Sequence, residues 1–137
     1  MSNKKEKQPR LIFIVEDNAV YAKSLEIFLR TKFEGIEVKI FPVGELAVDN
    51  LHLKPEFIVM DYFLNSKYYD AEDGVSILNV IREKQPNIQI IVLSSEEDES
   101  TIKKVHDTGC LFLHKDSEAY EKVRNLISLQ LIQMNRE

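Results

Sequence analysis

Residues 11–17 read Leu-Ile-Phe-Ile-Val-Glu-Asp, a run of five apolar residues that ends directly in two carboxylates. The run shows no alternation of polar and apolar side chains and is rich in Ile and Val. This pattern is typical of a strand in a sheet covered on both faces, which means a parallel sheet. The stretch therefore predicts a buried parallel strand with Glu16 and Asp17 at its carboxyl end.

Four further short apolar runs follow, at Glu37 to Phe41, Phe57 to Met60, Gln89 to Leu93 and Leu111 to Leu113. Between the runs, apolar residues recur at helical spacing. Strand and helix thus alternate five times, and right-handed crossovers then place helices on both faces of one sheet. We expect an α/β, flavodoxin-like (βα)5 fold, a doubly wound five-stranded parallel sheet with strand order 2-1-3-4-5.

The helical segments are expected to bury stripes of apolar residues. The first stripe has Tyr21, Leu25, Phe28 and Leu29, the second Val43, Leu46, Ala47 and Leu51, the third Val75, Leu78 and Ile81, the fourth Ile102 and Val105, and the fifth Tyr120, Val123, Ile127, Leu131 and Met134. Gly35, Pro86 and Gly109 fall where helices should end.

The bulk composition fits one domain. The chain has 137 residues, of which 44% are hydrophobic, and we expect a flexible tail at residues 1–10 and a single domain at 11–137. The single cysteine, Cys110, and the lack of a signal-like segment predict a cytoplasmic protein without disulfides or a membrane span. A net charge of -5 argues against direct nucleic-acid binding. Leu126 to Glu137 still reads as helix, so we expect no output domain in this chain.

Polar residues follow the other apolar runs: Asp61 after the third, Ser94 after the fourth and Lys115 after the fifth. Ligands of doubly wound sheets bind outside the carboxyl ends of the strands, where these residues would meet Glu16 and Asp17. Carboxylates about 4 Å apart repel by about 4 kcal/mol at an effective dielectric constant of about 20. We therefore expect a positive charge among them.

Oxygen ligands alone favour Mg²⁺, which prefers one or two carboxylates, waters and a phosphate oxygen. Lys115 and the Ser94 hydroxyl would hold a transferred phosphoryl group, leaving the Asp61 carboxylate as nucleophile. Each residue also has a structural explanation. Asp17 or Asn18 could cap the first helix, Ser94 or Ser95 could cap the fourth with Asp98 in a capping box, and Lys115 could be a surface amine.

The ordered set of motifs resembles the receiver domain of two-component response regulators over nearly all of the chain after Arg10. The motifs are Ile-Val-Glu16-Asp17-Asn, Ile-Val-Met-Asp61-Tyr, Ile-Val-Leu-Ser94-Ser and Phe112-Leu-His-Lys115. The resemblance implies that a sensor histidine kinase or a histidine phosphotransfer protein donates a phosphoryl group to Asp61. It also implies direct Mg²⁺ coordination by Asp17, Asp61 and the backbone carbonyl of Phe63, with Glu16 acting largely through water.

The resemblance further implies a switch, in which Ser94 moves toward the phosphate and the Phe112 ring turns inward. The last strand and last two helices would carry the output. The alternative for Phe112 is plain core packing, and an exposed, mobile ring would favour the switch. Leu126, Leu129 and Ile132 suggest a homodimer or partner face on the last helix, although core packing explains part of that stripe.

The sequence departs from the family pattern near the site. The loop Asn65 to Asp73, with Tyr68 and Tyr69, is long, and is either a solvated insertion or a segment that contacts the kinase or covers the phosphate. Asp116 follows Lys115 where the family often has a cis proline. Access to the phosphoryl group and its lifetime are expected to depend on Ser95, Phe63 and Glu96, with a bulky Phe63 slowing its loss.

The sequence also bears on three other functions. A receiver-like binding module could regulate a partner without phosphorylation. Such a module would not need the full set of acidic residues and Lys115, and this sequence has all of them. A phosphohydrolase of the dehalogenase-like type would carry Asp-x-Asp, which Asp61-Tyr-Phe63 lacks. A flavin carrier needs a hydroxyl- and glycine-rich loop after the first strand, which is acidic here. His52, His106 and His114 are given no role.

Overall fold

The computed structural model describes residues 11–62, 73–95 and 98–135. Five strands form its sheet: β1 (Leu11–Val15), β2 (Glu37–Phe41), β3 (Phe57–Asp61), β4 (Gln89–Ser94) and β5 (Leu111–His114). All paired strands are parallel and the order is β2-β1-β3-β4-β5. The predicted fold and strand order are confirmed. Strands β3, β4 and β5 each run one residue further than predicted, so Asp61 and Ser94 are the last residues of their strands.

Five helices connect and flank the strands: α1 (Ala19–Lys32), α2 (Gly44–Asp49), α3 (Asp73–Lys84), α4 (Glu99–Asp107) and α5 (Ala119–Asn135). Helices α1 and α5 cover one face of the sheet, where Leu25, Leu29 and Ile127 are buried. Helices α2, α3 and α4 cover the other face, where Leu78 and Val105 are buried. The near-continuous burial of β1, β3 and β4 follows from this double cover.

The predicted helix ends are confirmed, but the second helix is shorter than its predicted stripe. Gly35 and Gly109 have positive φ angles of 73° and 76° shortly after the ends of α1 and α4. Val43 is the N-cap of α2, and Leu51 is buried in a short 3₁₀ turn (Leu51–Leu53) rather than in the helix. Leu46 is 42% exposed, so the prediction that it lies in the core was wrong.

Close packing between α2 and α3 decides which face of α2 turns inward. A Cβ atom at Gly44 would lie 2.9 Å from Ile77 Cγ2, because the backbone of α2 sits directly on that side chain. Ala47 is fully buried on the same side. With only six residues, α2 has room for one inward face, and Leu46 lies on the other.

Arg82 ties the amino-terminal edge of the sheet together from α3. Its guanidinium donates five hydrogen bonds, to the carbonyl oxygens of Thr108 (3.0 Å), Pro86 (3.1 Å), Ile88 (2.6 Å) and Gly109 (3.1 Å) and to Cys110 Sγ (3.6 Å). An arginine side chain has five N–H donors, so all of them are used. The contacts join the end of α3, the turn before β4 and the turn before β5, beside a cleft of about 540 Å³.

The predicted tail at residues 1–10 and the loop Asn65 to Asp73, apart from the start of α3, lie outside the described residues. Among the helices that the structure describes, none has the length and apolar character needed to cross a membrane.

We expect Arg82→Met to lower the free energy of unfolding by about 2–4 kcal/mol, because four backbone carbonyls lose a charged donor at once. Arg82→Lys should recover only part of this, since an ammonium cannot reach five separate acceptors. Urea denaturation measures both. Lys103→Met is the control, because the contact described for Lys103 is an exposed ion pair with Asp107, and an equal loss in this control would contradict the assignment.

Candidate functional site

Three carboxylates meet at the carboxyl edge of the sheet, as predicted. Glu16 follows β1 and Asp61 ends β3, the strand that pairs with β1. Both are buried, whereas Asp17 is more open to solvent. One oxygen from each of the three side chains lies within 4.8 Å of the others.

The Lys115 ammonium lies between two of these carboxylates. Its Nζ donates to Glu16 Oε1 at 2.6 Å and to Asp61 Oδ2 at 3.4 Å. The backbone N–H of Lys115 donates to the Ser94 carbonyl at 2.8 Å, which holds the residue beside the end of β4. The side chain is only 20% exposed, so the alternative that Lys115 is a surface amine was wrong, and the lysine supplies part of the positive charge expected here.

Asn18, rather than Asp17, caps the first helix. Asn18 is the N-cap of α1, since its Oδ1 accepts from the backbone N–H of Tyr21 at 3.0 Å. The Asn18 N–H donates in turn to Glu16 Oε2 at 3.0 Å, so the cap also fixes the Glu16 carboxylate. Asp17 is therefore not the capping residue.

At the fourth strand, the alternative that Ser94 or Ser95 caps α4 was wrong. Asp98 is the N-cap, and Thr101 Oγ1 donates to its carboxylate at 3.3 Å. The helix begins at Glu99, too far along the chain for Ser94, which is fully buried at the end of β4. Ser95 is exposed. The Ser94 side chain thus belongs to the carboxyl edge that holds Asp61.

Burial and charge shift the proton affinities of this cluster. Burial raises the pKa of Asp61 to about 7, with a further contribution from the negative charge of Glu16 and opposition from Lys115. Burial alone would lower the pKa of Lys115, but the hydrogen bond to Glu16 and the charges of Asp61 and Glu16 outweigh it and raise that pKa. When all four groups are ionised, three negative charges and one positive charge leave two negative charges. That balance suits one divalent cation.

The Phe112 ring on β5 is half-buried and packs against the core cluster on the face covered by α2, α3 and α4. An exposed, mobile ring would have favoured a switch role for Phe112, and this ring is not fully exposed. Its packing agrees with the alternative that Phe112 is a core residue. Phe112 pairs in register with Val92, while Ser94 pairs with His114. The role of Phe112 as a switch remains a prediction.

The chain after Lys115 adopts an ordinary turn. Asp116 Oδ1 accepts from the backbone N–H of Glu118 at 2.9 Å, and the Asp116 carbonyl accepts from the N–H of Ala119 at 3.1 Å. The hydrogen bond from Glu118 lowers the pKa of Asp116. No peptide bond in the described ranges is cis, so Asp116 starts α5 by a side-chain hydrogen bond where the family pattern often has a proline.

Several predicted residues lie outside the part of the chain that the structure describes. They are Phe63, Glu96, Tyr68 and Tyr69. The backbone ligand at Phe63 and the lifetime roles of Phe63 and Glu96 therefore stay predictions.

Sequence reasoning missed Tyr21, which it assigned only to a core stripe. The Lys115 Nζ lies 4.2 Å from the centroid of the Tyr21 ring. Tyr21 stands in the first turn of α1, four residues after Asp17. Its position near the start of that helix was the available signal, because the amino end of α1 adjoins the carboxyl edge of β1.

Comparisons with known proteins bear on the family of the chain and on its fold. The family model described as response regulator receiver domain matches residues 12–127. A curated relative, the response regulator protein VraR of Staphylococcus saprophyticus, is 26% identical over 102 residues, which are 74% of this chain and 46% of VraR. The chain thus spans about half the length of that relative.

Solved structures show the same fold. A CheY-like response regulator receiver domain protein from Methanospirillum hungatei superposes with a TM-score of 0.79 at 16% identity, covering 93% of this chain and 98% of that one. The isolated receiver domain of RcsB from Salmonella enterica, solved with the phosphomimetic BeF3-, gives a TM-score of 0.73 at 20% identity, covering 89% and 88%.

The raised pKa of Asp61 predicts a pH-dependent stability in the absence of divalent cations. The folded protein keeps the proton up to about pH 7, whereas an unfolded aspartate releases it near its ordinary value of about 3.9. The stability contributed by this group is present below the unfolded pKa and is lost as pH rises through the folded pKa. Asp61→Asn should therefore be more stable than the wild type at pH 8, by up to about 4 kcal/mol, and the difference should shrink toward pH 4.

Urea denaturation in EDTA at several pH values measures this difference. Adding Mg²⁺ at pH 8 should narrow it, because a bound cation stabilises the folded wild type. A difference that is the same at pH 4 and pH 8 would show that Asp61 is not the group whose protonation matters.

Proposed function

The chain belongs to the response regulator receiver domain family, and from that premise we propose that Asp61 accepts a phosphoryl group in a Mg²⁺-dependent reaction. The donor is a sensor histidine kinase or a histidine phosphotransfer protein. One observation carries the proposal: the oxygens of Glu16, Asp17 and Asp61 lie within 4.8 Å of one another, with the Lys115 ammonium against Glu16 and Asp61. This arrangement can bind both a divalent cation and phosphoryl oxygens.

The donor set fits Mg²⁺. The cluster offers carboxylate oxygens, the ligands that this ion prefers, and the net charge of the ionised site matches a divalent cation. Asp17, Asp61 and the backbone carbonyl of Phe63 would hold the ion, with Glu16 contributing largely through water. When bound, the ion offsets negative charge on the phosphoryl oxygens during transfer.

The residues of the chain supply the rest of the chemistry. An Asp61 oxygen forms a bond to phosphorus as the bond from phosphorus to the donor nitrogen breaks, giving an acyl phosphate. Lys115 is already beside Asp61 Oδ2 and is poised to donate to a phosphoryl oxygen. The Ser94 hydroxyl, on the strand next to that of Asp61, would donate to another. Ser95, Phe63 and Glu96 would set access and phosphoryl lifetime.

The output is proposed to be a change of surface at β5, α4 and α5. Phe112 and Ser94 lie two register positions apart on neighbouring strands, so movement of one can change the packing of the other. Leu129 and Ile132 are exposed apolar residues on α5 and support a face for a second copy or a partner. The proposal places this signalling in the cytoplasm, with no direct binding of nucleic acid by this domain.

Intact-protein mass after incubation with acetyl phosphate tests the acceptor. The wild type should gain one phosphoryl group in Mg²⁺ and none in EDTA, and Asp61→Asn should gain none. Lys115→Met should slow the gain by at least about tenfold, because a charge-assisted contact to the transferred group is lost. Asp107→Asn is the matched control, since this exposed aspartate ends α4 beside the Arg82 cleft, at the amino-terminal edge of the sheet, and it should behave like the wild type.

Two results would overturn the proposal. An adduct that persists in Asp61→Asn would place the acceptor elsewhere. No adduct from either acetyl phosphate or a phosphorylated histidine phosphotransfer protein, in a sample that binds Mg²⁺, would favour a receiver that acts without phosphorylation.

A further inference from the structure

Among the residues that the structure describes, the Lys115 ammonium has one uncharged partner, the face of the Tyr21 ring. The distance of 4.2 Å from Nζ to the ring centroid is within the range of cation–π attraction, which extends to about 6 Å. The other two partners described for this ammonium are the carboxylates of Glu16 and Asp61. Those two are also candidate metal ligands, whereas the ring is not.

The Tyr21 ring is fixed from several sides. The backbone N–H of Tyr21 donates to Asn18 Oδ1, and the backbone carbonyl of Tyr21 accepts from the Tyr120 hydroxyl at 3.1 Å. The rings of Tyr21 and Tyr120 meet edge to face, with centroids 5.2 Å apart and an interplanar angle of 74°. Tyr120 packs in turn against Phe28. Tyr120 stands in α5, shortly after Lys115. The Tyr21 ring is therefore held by its own helix, α1, and by α5.

The ring face, and not the hydroxyl, makes this contact. The Tyr21 hydroxyl oxygen is buried and has no hydrogen-bond partner among the described residues. Burial raises the pKa of Tyr21 above its usual range, and the nearby Tyr120, Glu16, Asp61 and Asp116 raise it further. The side chain therefore stays neutral, and phenylalanine should be able to replace it.

We propose that Tyr21 is a positioning residue, whose ring face keeps the Lys115 ammonium beside Asp61 when a divalent cation occupies the oxygens of Glu16 and Asp61. A cation there weakens the hold of the carboxylates on the ammonium and repels it as a like charge. A lysine side chain is long and flexible, and would then turn toward solvent. The attraction of the ring does not depend on the carboxylates and remains.

The consequence for phosphoryl transfer rests on the function proposed above. A lysine held beside Asp61 can contact the phosphoryl oxygens without first losing conformational freedom. It therefore speeds phosphoryl transfer and does not change metal binding. Loss of the ring should therefore lower the rate constant for transfer at saturating donor and leave the affinity for Mg²⁺ unchanged.

NMR of the full chain tests the contact without any phosphorylation. The probes are the chemical shift of the Lys115 ε-methylene protons, which a ring face moves upfield, and the order parameter of the ε-carbon, each in EDTA and in saturating Mg²⁺. Wild type and Tyr21→Phe should keep the upfield shift and the order in Mg²⁺. Tyr21→Leu should lose order at the ε-carbon, most strongly in Mg²⁺. Phe33→Leu, the same kind of change at the other end of the same helix, should not.

Acetyl phosphate kinetics supply the second measurement. Tyr21→Leu should transfer about 3- to 10-fold more slowly at saturating donor, the range expected from one cation–π contact, with unchanged Mg²⁺ affinity, and Tyr21→Phe should match the wild type. Loss of the upfield shift in wild-type protein on adding Mg²⁺ would overturn the proposal, as would a Tyr21→Phe variant as slow as Tyr21→Leu. If the wild type takes up no phosphoryl group, the proposed function fails, and the NMR result still decides the role of Tyr21.

Discussion

The placement of Lys115 between Glu16 and Asp61 is the constraint on which the site depends. Two buried carboxylates this close would repel each other strongly, and each would be poorly solvated. The ammonium offsets that repulsion only because the strand order puts β3 next to β1 and lets Lys115 reach past β4. The electrostatic balance of the site therefore depends on the strand order, because a different order of the same strands would leave the carboxylates without their counter-charge.

Most of the fold could be predicted because its signals are local. Continuous apolar runs mark the buried strands, and the alternation of strands with helices limits the topology to few choices. The meeting of the acidic residues could be predicted for a similar reason, since parallel strands bring their last residues to one edge of the sheet. Predictions failed where a local pattern had two outcomes. Leu46 fits a helical stripe, yet the contact of Gly44 with Ile77 turns it outward. The alternative that Ser94 caps a helix failed because the strand continues through that residue.

Tyr21 shows a different limit of sequence reasoning. Helical spacing indicates that its side chain turns toward the protein, and this is correct. It gives no information on which residue from the far end of the chain meets the ring. The contact with Lys115 depends on how α1 and α5 pack together through Tyr120, a property of two helices that are remote in sequence. Long-range side-chain pairs of this kind become visible only when the helices have been placed in three dimensions.

Arg82 has a consequence for the design of small molecules against this domain. The cleft beside it is lined by the positively charged Arg82 and by Asp107, and the arginine alone would suggest an anionic compound. All five donors of that guanidinium are already bound to acceptors of the chain itself. A phosphate or carboxylate group on an inhibitor would meet a diffuse charge with no directed N–H to accept, and would give up its hydration for little in return. Compounds for this cleft should rely on shape and neutral polar groups instead of an acid.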